Sequence, residues 1–244
     1  MSAVRTLATA ERVLRQLRRD RRTLVLVFLV APALLALMKA LLDGDPAAFA
    51  RIGAPLIGLF PLIMMFVITS IAMLRERTSG TLERLMSLPL AKLDLLAGYA
   101  IAFAVLAALQ GGITGGVGFG ALGVTAAGAA WAIVVLAVAN ALLGMALGLF
   151  LSAFASSEFQ AVQFLPAFLL PQILLSGLFV PRDRLSHALG LVSDVLPVSY
   201  AYDALARVAA GAGGTRLAAD VAVVAGGILL ALVLGATTLR RRTA

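Results

Sequence analysis

Long stretches without a charged residue dominate the hydrophobic pattern of this chain. A helix that spans a membrane needs about 20 mostly apolar residues, so the length of each charge-free stretch is the primary evidence. The longest runs from Leu95 to Ser157, and glycines at 115, 116, 118, 120, 123 and 128 predict a turn in its middle. The pattern predicts an all-α integral membrane fold in a single domain, residues 1–244. Its six spans are expected near residues 24–42, 52–74, 95–117, 129–151, 159–180 and 217–239.

Residues 3–20 place apolar and basic side chains on opposite faces of a helix. The apolar face comprises Val4, Leu7, Ala10, Leu14 and Leu17, and the basic face comprises Arg5, Arg12, Arg15 and Arg19. This is the pattern of a helix that lies in the membrane interface. We therefore predict an N-terminal interfacial helix within residues 1–22, with a solvated basic tail as the alternative.

Residues 182–215 also show helical spacing, but neither of their two apolar stretches is long enough to span. Leu185, Leu189, Val192 and Leu196 precede Pro197, and a second stretch follows around residues 200–208. We expect two short external half-helices that dip into the outer leaflet and end at the flexible segment 211–214. An ordinary extracellular loop with an amphipathic helix is the alternative.

The basic residues predict the orientation of the spans. Most of the 20 lysines and arginines lie in the N-terminal head, in segment 75–92 and in the C-terminal tail. Positively charged segments stay in the cytoplasm, so we expect cytoplasmic N and C termini in a cell inner (plasma) membrane. Lys39, near the end of the first span, is expected to extend to the lipid headgroups.

Composition narrows the chemistry. Hydrophobic residues make up 61% of the 244 positions and charged residues 13%, so lipid must be the solvent. A net charge of +8 beside apolar runs favours anionic headgroups over nucleic acid as the partner. With no cysteine and one histidine, we expect no metal site. Neither lysine follows a glycine, so the sequence lacks a nucleotide-binding loop and predicts no enzymatic activity of its own.

Segment 75–92, between the second and third spans, is the most informative polar stretch. Gly80 or a neighbouring hydroxyl is expected to cap a short helix, which Pro89 ends. Leu82, Leu85 and Met86 would then form an apolar face on the cytoplasmic side. Such a face suits the groove of a partner protein, although it could also rest on the membrane.

Two motifs resemble those of the type-2 ABC transporter permeases, the membrane subunits of ATP-driven exporters. The first runs from Arg75-Glu76-Arg77 through Gly80-Thr81-Leu82-Glu83 to Leu85 and Pro89. The second is Ser176-Gly177-x-Phe179-x-Pro181, followed by Pro197-x-x-Tyr200. The resemblance implies a dimer of six-helix subunits, either a homodimer or a pair of related chains, on two copies of a separate ATPase. That partner would bind ATP and Mg, and this chain would bind no cofactor.

The resemblance also implies roles for particular residues. The coupling segment to the ATPase would comprise Arg75, Glu76, Gly80, Thr81, Leu82, Glu83, Leu85 and Met86. The outer gate would comprise Ser176, Gly177, Phe179, Pro181, Pro197 and Tyr200.

The spans themselves indicate the cargo. They carry few polar side chains but several aromatic and methionine side chains, which adapt to varied apolar ligands. We expect an amphipathic drug-like or lipid-like cargo at the subunit interface, along Phe60, Met64, Phe164, Phe168 and Gln172. A proton-coupled secondary carrier and a non-transport polytopic membrane subunit are the alternatives. Both are less favoured, the carrier because no span holds a charged group near its middle.

Overall fold

The computed structural model describes residues 2–80 and 92–238, and every regular element in those ranges is helical. Six stretches in them are long and apolar enough to cross a membrane: Arg21–Leu41, Pro46–Thr78, Ala97–Gly120, Ala130–Phe154, Glu158–Leu175 and Thr215–Thr237. The prediction of an all-α fold with six spans is confirmed. In chain order the helices are α1 (Ala3–Arg19), α2 (Arg21–Leu41), α3 (Pro46–Thr78), α4 (Lys92–Gly120), α5 (Ala130–Leu151), α6 (Glu158–Phe164), α7 (Leu170–Leu175), α8 (His187–Val195), α9 (Pro197–Ala209) and α10 (Thr215–Thr237).

Helix α3 is longer at both ends than the predicted second span, 52–74. It begins at Pro46, where the side chain of Asp45 caps it by accepting a hydrogen bond from the Ala48 N–H at 3.0 Å. At its other end it includes Arg75 and Arg77. Its 33 residues rise about 50 Å, against a hydrocarbon core of about 30 Å. The helix therefore extends beyond the hydrocarbon region.

The chain turns within the glycine-rich stretch between the third and fourth spans, as predicted, but the turn begins a few residues later than expected. Helix α4 continues to Gly120, and the chain turns in residues 121–129. Gly115 and Gly118 instead permit close packing, because a Cβ on them would lie 2.6 Å from Val134 Cγ2 and 2.7 Å from Ile57 Cδ1. Lys39 Nζ donates a hydrogen bond to the Leu122 carbonyl at 2.7 Å, and its expected extension to the lipid headgroups stays a prediction.

The fifth span is interrupted and ends earlier than expected. Residues Leu165–Leu169 form a π-helical turn between α6 and α7. Pro166 and Pro171 lack the N–H groups that a continuous α-helix requires, which accounts for the irregularity. The helix ends at Leu175 rather than near residue 180, since Gly177 has φ +104°, a conformation that ends a helix.

Helices α3 and α5 cross closely near the centre of the bundle. A Cβ on Gly144 would lie 2.0 Å from the Leu62 carbonyl oxygen, and one on Gly148 would lie 2.4 Å from that of Phe66. Thr69 reinforces the crossing by donating a hydrogen bond to the carbonyl of Met145 at 3.2 Å. Small residues allow such backbone contact in membrane proteins. The remaining helices pack around this pair.

Candidate functional site

Helix α1 packs against the first turns of α4, at what we call the α1 end of the bundle. A Cβ on Gly98 would lie 2.5 Å from Thr9 Cβ, so only glycine permits this approach. The Ser2 N–H also donates a hydrogen bond to Asp94 Oδ1 at 3.0 Å. Helix α1 is thus attached to the bundle at two points.

The buried face of α1 overlaps the predicted apolar face only in part, at Ala10, while Leu14 and Leu17 pack partly buried against the core. The buried residues are Thr6, Thr9, Ala10 and Val13. From the predicted apolar face, Val4 and Leu7 are 77% and 60% exposed. The helix therefore has an exposed apolar face beside its protein contact, which a helix at the membrane interface can present to lipid.

A polar cluster joins α1, α3 and α4 below this contact. Arg12 Nη2 donates a hydrogen bond to the Tyr99 hydroxyl at 2.5 Å, and its Nη1 lies 3.6 Å from Glu76 Oε1. The guanidinium carbon of Arg12 also lies 5.7 Å from the centre of the Tyr99 ring. Arg12 was expected on the outward basic face, and the cluster shows that it faces the bundle instead.

One oxygen of a buried carboxyl group in this cluster lacks a hydrogen bond within the described part of the chain. Glu76 is only 6% exposed, and its Oε2 accepts no hydrogen bond from the residues that the structure describes. Burying a carboxylate without full hydrogen bonding costs several kcal/mol.

A cleft of about 420 Å³ opens beside this cluster, between α1, α2, α3 and α4. Its walls are mainly aliphatic, with two aromatic rings, Tyr99 and Phe103, whose centres lie 6.4 Å apart. Its polar residues are Gln16, Asp20, Thr23, Arg75, Glu76 and Tyr99. The volume is that of a pocket for a drug-sized molecule, and the combination of apolar walls with a few polar groups is typical of a ligand site.

Two interactions fix the polar part of the cleft. Arg75 holds Glu158 with two hydrogen bonds, of 2.7 and 3.1 Å, and so joins α3 to α6. Asp20 caps α2 by accepting hydrogen bonds from the hydroxyl and the N–H of Thr23, at 2.6 and 3.1 Å, and these lower the pKa of Asp20. Both carboxylates are therefore charged at neutral pH.

The opposite end of the bundle carries a second polar cluster, centred on Arg182. Its guanidinium donates hydrogen bonds to Asp194 and Asp203, and it lies 5.1 Å from the centre of the Tyr200 ring. Burial alone would lower the pKa of Arg182, but Asp203 and the neighbouring groups raise it. Burial raises the pKa of Asp203, and Arg182 offsets only part of that effect. One arginine thus holds the segment after α7 to α8 and α9.

Helix α9 is packed into the bundle at this end. Its buried residues contact α3, α5 and α10, and Asn140 of α5 donates a hydrogen bond to the Ala201 carbonyl at 3.4 Å. Arg207 of α9 pairs with Asp220 of α10 at 2.7 Å, and Asp220 is buried. Sequence reasoning missed this ion pair, although Asp220 lies within the predicted sixth span.

Comparison with known proteins identifies the family. The sequence profile described as "ABC-2 type transporter" matches residues 5–209, most of the chain. The chain belongs to the ABC-2 type transporter family. It is also 28% identical over 148 residues to the protein named "Probable multidrug ABC transporter permease YbhR" in two strains of Escherichia coli. That match covers 61% of this chain and 40% of the relative's length.

The expected coupling segment of this ABC-2 chain is only partly described. Thr81, Leu82, Glu83, Leu85 and Met86 lie outside the described residues, so their docking role stays a prediction. Within the described part, Arg75 is bound to Glu158, and Glu76 faces α1. The side chain of Glu76 is buried, and the role of Arg75 and Glu76 in coupling to the ATPase stays a prediction.

The short helix expected after residue 80 falls outside the described residues, so a capping role stays a prediction for Gly80. Gly80 follows the last turn of α3, after Ser79, whose N–H donates a hydrogen bond to the Arg75 carbonyl at 2.9 Å. Gly80 has φ +71°, the left-handed conformation that commonly follows the last residue of a helix. Its position and backbone conformation therefore mark the end of α3.

The residues of the expected outer gate lie near the Arg182 cluster, although their gating role stays a prediction. The ring of Tyr202 would lie 3.1 Å from a Cβ on Gly177, and Pro197 begins α9. Tyr200 donates a hydrogen bond to the Asp194 carbonyl at 2.7 Å. Ser176 is buried, Pro181 immediately precedes Arg182, and Phe179 is 66% exposed.

Several residues that hold this region together were not among the expected gate residues. Ser193 of α8 bonds to the Leu175 carbonyl at 2.9 Å and to Ser199 of α9 at 3.0 Å. Arg182, Asp194 and Asp203 were also missed. The only signal in the sequence was a cluster of opposite charges within the short segment between the fifth and sixth spans, which is common in solvated loops.

The structure separates the five residues expected to line the cargo pathway within one subunit. Met64 lines the cleft at the α1 end, whereas Phe60 packs in the cluster around α9. Phe164 and Phe168 pack partly buried against the central core, and Gln172 is buried, with its Nε2 bonded to the Phe168 carbonyl at 3.3 Å. The cleft is not lined by Phe60, Phe164, Phe168 or Gln172.

Proposed function

We propose that this chain is the membrane-spanning permease subunit of an ABC exporter. It moves an amphipathic drug-like or lipid-like cargo out of the cytoplasm, using ATP hydrolysed by a separate partner subunit. The observation that carries the proposal is the apolar cleft with its charged edge, in a chain of the ABC-2 type transporter family. One relative is named as a probable multidrug permease, and this name is consistent with a cleft whose apolar walls can adapt to varied ligands.

The energy source is proposed to lie outside this chain. Lys39 and Lys92 follow Met38 and Ala91, so no glycine-lysine pair is available to cradle phosphates. ATP and Mg would bind to the partner ATPase. The end of α3 leads directly into residues 81–91, so movement of that segment by the ATPase would act on α3 and on the Glu76 cluster that joins α3 to α1 and α4.

The orientation and assembly are part of the same proposal. The α1 end carries most of the basic residues and would face the cytoplasm, while the Arg182 cluster would face outward from the plasma membrane. A second permease subunit would complete the pathway. One residue that lines the cleft, Leu26, is 57% exposed, so the cleft is accessible from the side of the bundle. Cargo would therefore enter it from the inner leaflet.

The test is ATP hydrolysis by the chain with its partner ATPase. The purified chain alone should bind no ATP, and the complex should hydrolyse ATP faster when hydrophobic compounds are added. Changing Leu82, Leu85 and Met86 to alanine removes three apolar anchors and should weaken assembly by about 1 kcal/mol or more per anchor. Unchanged assembly and stimulated hydrolysis in this triple variant would refute the docking role.

Two further variants locate the cargo. Ala72→Phe fills the cleft, whereas the double variant Phe164→Ala, Phe168→Ala alters the expected route along the fifth span. Loss of stimulation only in Ala72→Phe assigns the cargo to the cleft. Loss only in the double variant assigns it to the subunit interface instead.

A further inference from the structure

We infer that the cleft between α1, α2, α3 and α4 binds a bulky lipophilic cation with a single positive charge. The inference deepens the proposed function, because it names the charge of the cargo. The inference depends on the proposed function only where the bound cation is called a cargo. Binding itself requires neither ATP nor a partner subunit.

The first observation is the buried carboxylate of Glu76 at the edge of the cleft. It is 6% exposed, and its Oε2 has no hydrogen-bond donor among the described residues. That oxygen is also enclosed by the surrounding protein. A negative charge in such a low-dielectric position acts strongly on any charge that enters the adjoining space.

The second observation is the balance of charges on the lining. Asp20 and Glu76 are acidic, and the single basic lining residue, Arg75, is committed to Glu158 by two hydrogen bonds. Arg12 pairs with Glu76 from the side of α1 and offsets part of its charge, but it lines the adjoining pocket rather than the cleft. The described lining is therefore complementary to a positive charge.

The third observation is the character of the walls. They are mainly aliphatic, with the Tyr99 and Phe103 rings among the lining residues. Glu76 Oε2 is too enclosed for a ligand to bond directly to it. Recognition would thus act through the electric field and apolar contact, which suits a delocalised cation without hydrogen-bond donors.

Tetraphenylphosphonium and tetraphenylborate provide a matched pair of probes, since they have nearly the same size and shape but opposite charge. Binding of each is measured by equilibrium dialysis against the full chain in phosphatidylcholine nanodiscs, with empty nanodiscs subtracted. The wild-type chain should bind the cation saturably, and at least about tenfold more tightly than the anion, which corresponds to about 1.4 kcal/mol.

Two substitutions in the Glu76 cluster should act in opposite directions. Glu76→Gln removes the attracting charge and should weaken binding of the cation about tenfold. Arg12→Gln removes the opposing charge and should strengthen it by about threefold. Glu11→Gln is the matched control, because it removes an exposed carboxylate of α1 that pairs with Arg15 away from the cleft, and it should leave binding unchanged. Thermal unfolding of each variant reports on folding.

Equal binding of the cation and the anion by the wild type would overturn the inference. So would a fall in cation binding in both Glu76→Gln and Arg12→Gln, because that result indicates damage to the α1 contact rather than loss of a field. The proposed function fails separately. Cation binding without any ATP-driven transport would contradict the exporter, whereas ATP-driven export of uncharged compounds alone would contradict only the cation site.

Discussion

Replacing Gly98 by alanine tests whether the contact between α1 and α4 shapes the cleft. The new Cβ would lie 2.5 Å from Thr9 Cβ and 2.9 Å from the Thr6 carbonyl oxygen. Restoring an ordinary separation of 3.4 Å requires α1 to move outward by about 0.9 Å, and overpacking of this kind costs about 1–3 kcal/mol. The same movement would stretch the hydrogen bond from Arg12 to Tyr99 from 2.5 Å to beyond the normal range.

Hydrogen exchange of the α1 amides in nanodiscs measures this effect. A loss of about 1–3 kcal/mol in docking should accelerate their exchange by about 5- to 150-fold, because exchange reports the free energy of local opening. The matched control is Gly112→Ala on the same helix, since a Cβ on Gly112 has no neighbour within 4 Å. Equal exchange of α1 in the Gly98 and Gly112 variants would refute the close contact.

Three further predictions concern other parts of the bundle. Gly144→Ala should lower the midpoint of thermal unfolding by about 6–12 °C, because it forces α3 and α5 apart at a cost near 3 kcal/mol, whereas Gly226→Ala on an open surface should not. Arg182→Gln leaves two aspartates without their cation, so it should lower the free energy of local opening of α8 and α9 by about 1–3 kcal/mol and accelerate their hydrogen exchange. Exchange at the wild-type rate would show that this cluster does not hold the two helices. A cysteine in place of Ser2 should react with an impermeant reagent only from the cytoplasm, and one in place of Ala212 only from outside, and the reverse result would overturn the orientation.

Hydropathy predicted the number and order of the spans, because lipid demands a long apolar stretch for each of them. It placed the ends of α3 and α4 too far inside these helices for one physical reason: charged and flexible residues are tolerated in helices when neighbours bind or contact them. Arg75 continues α3 while bound to Glu158. Gly115 and Gly118 remain helical because other helices pack closely against them.

The candidate sites depended on contacts between residues far apart in the chain. Periodicity placed Arg12 on an outward basic face, but Tyr99 and Glu76 hold it from two other helices. The Arg182 cluster likewise could not be predicted from the sequence, because acidic residues at positions 194 and 203 resemble those of any solvated loop. Only the packing of α9 into the bundle brings Asp203 beside that arginine.

The measurement that tests the central claim most directly is transport into inside-out membrane vesicles that contain this chain and its partner ATPase. A fluorescent amphipathic cation should accumulate when ATP and Mg are supplied, and accumulation should continue when the proton gradient is dissipated. The Ala72→Phe variant, which fills the cleft, should assemble with the ATPase but lose accumulation. Accumulation that requires a proton gradient and no ATP, or full transport by the filled variant, would contradict an ATP-driven permease that uses this cleft.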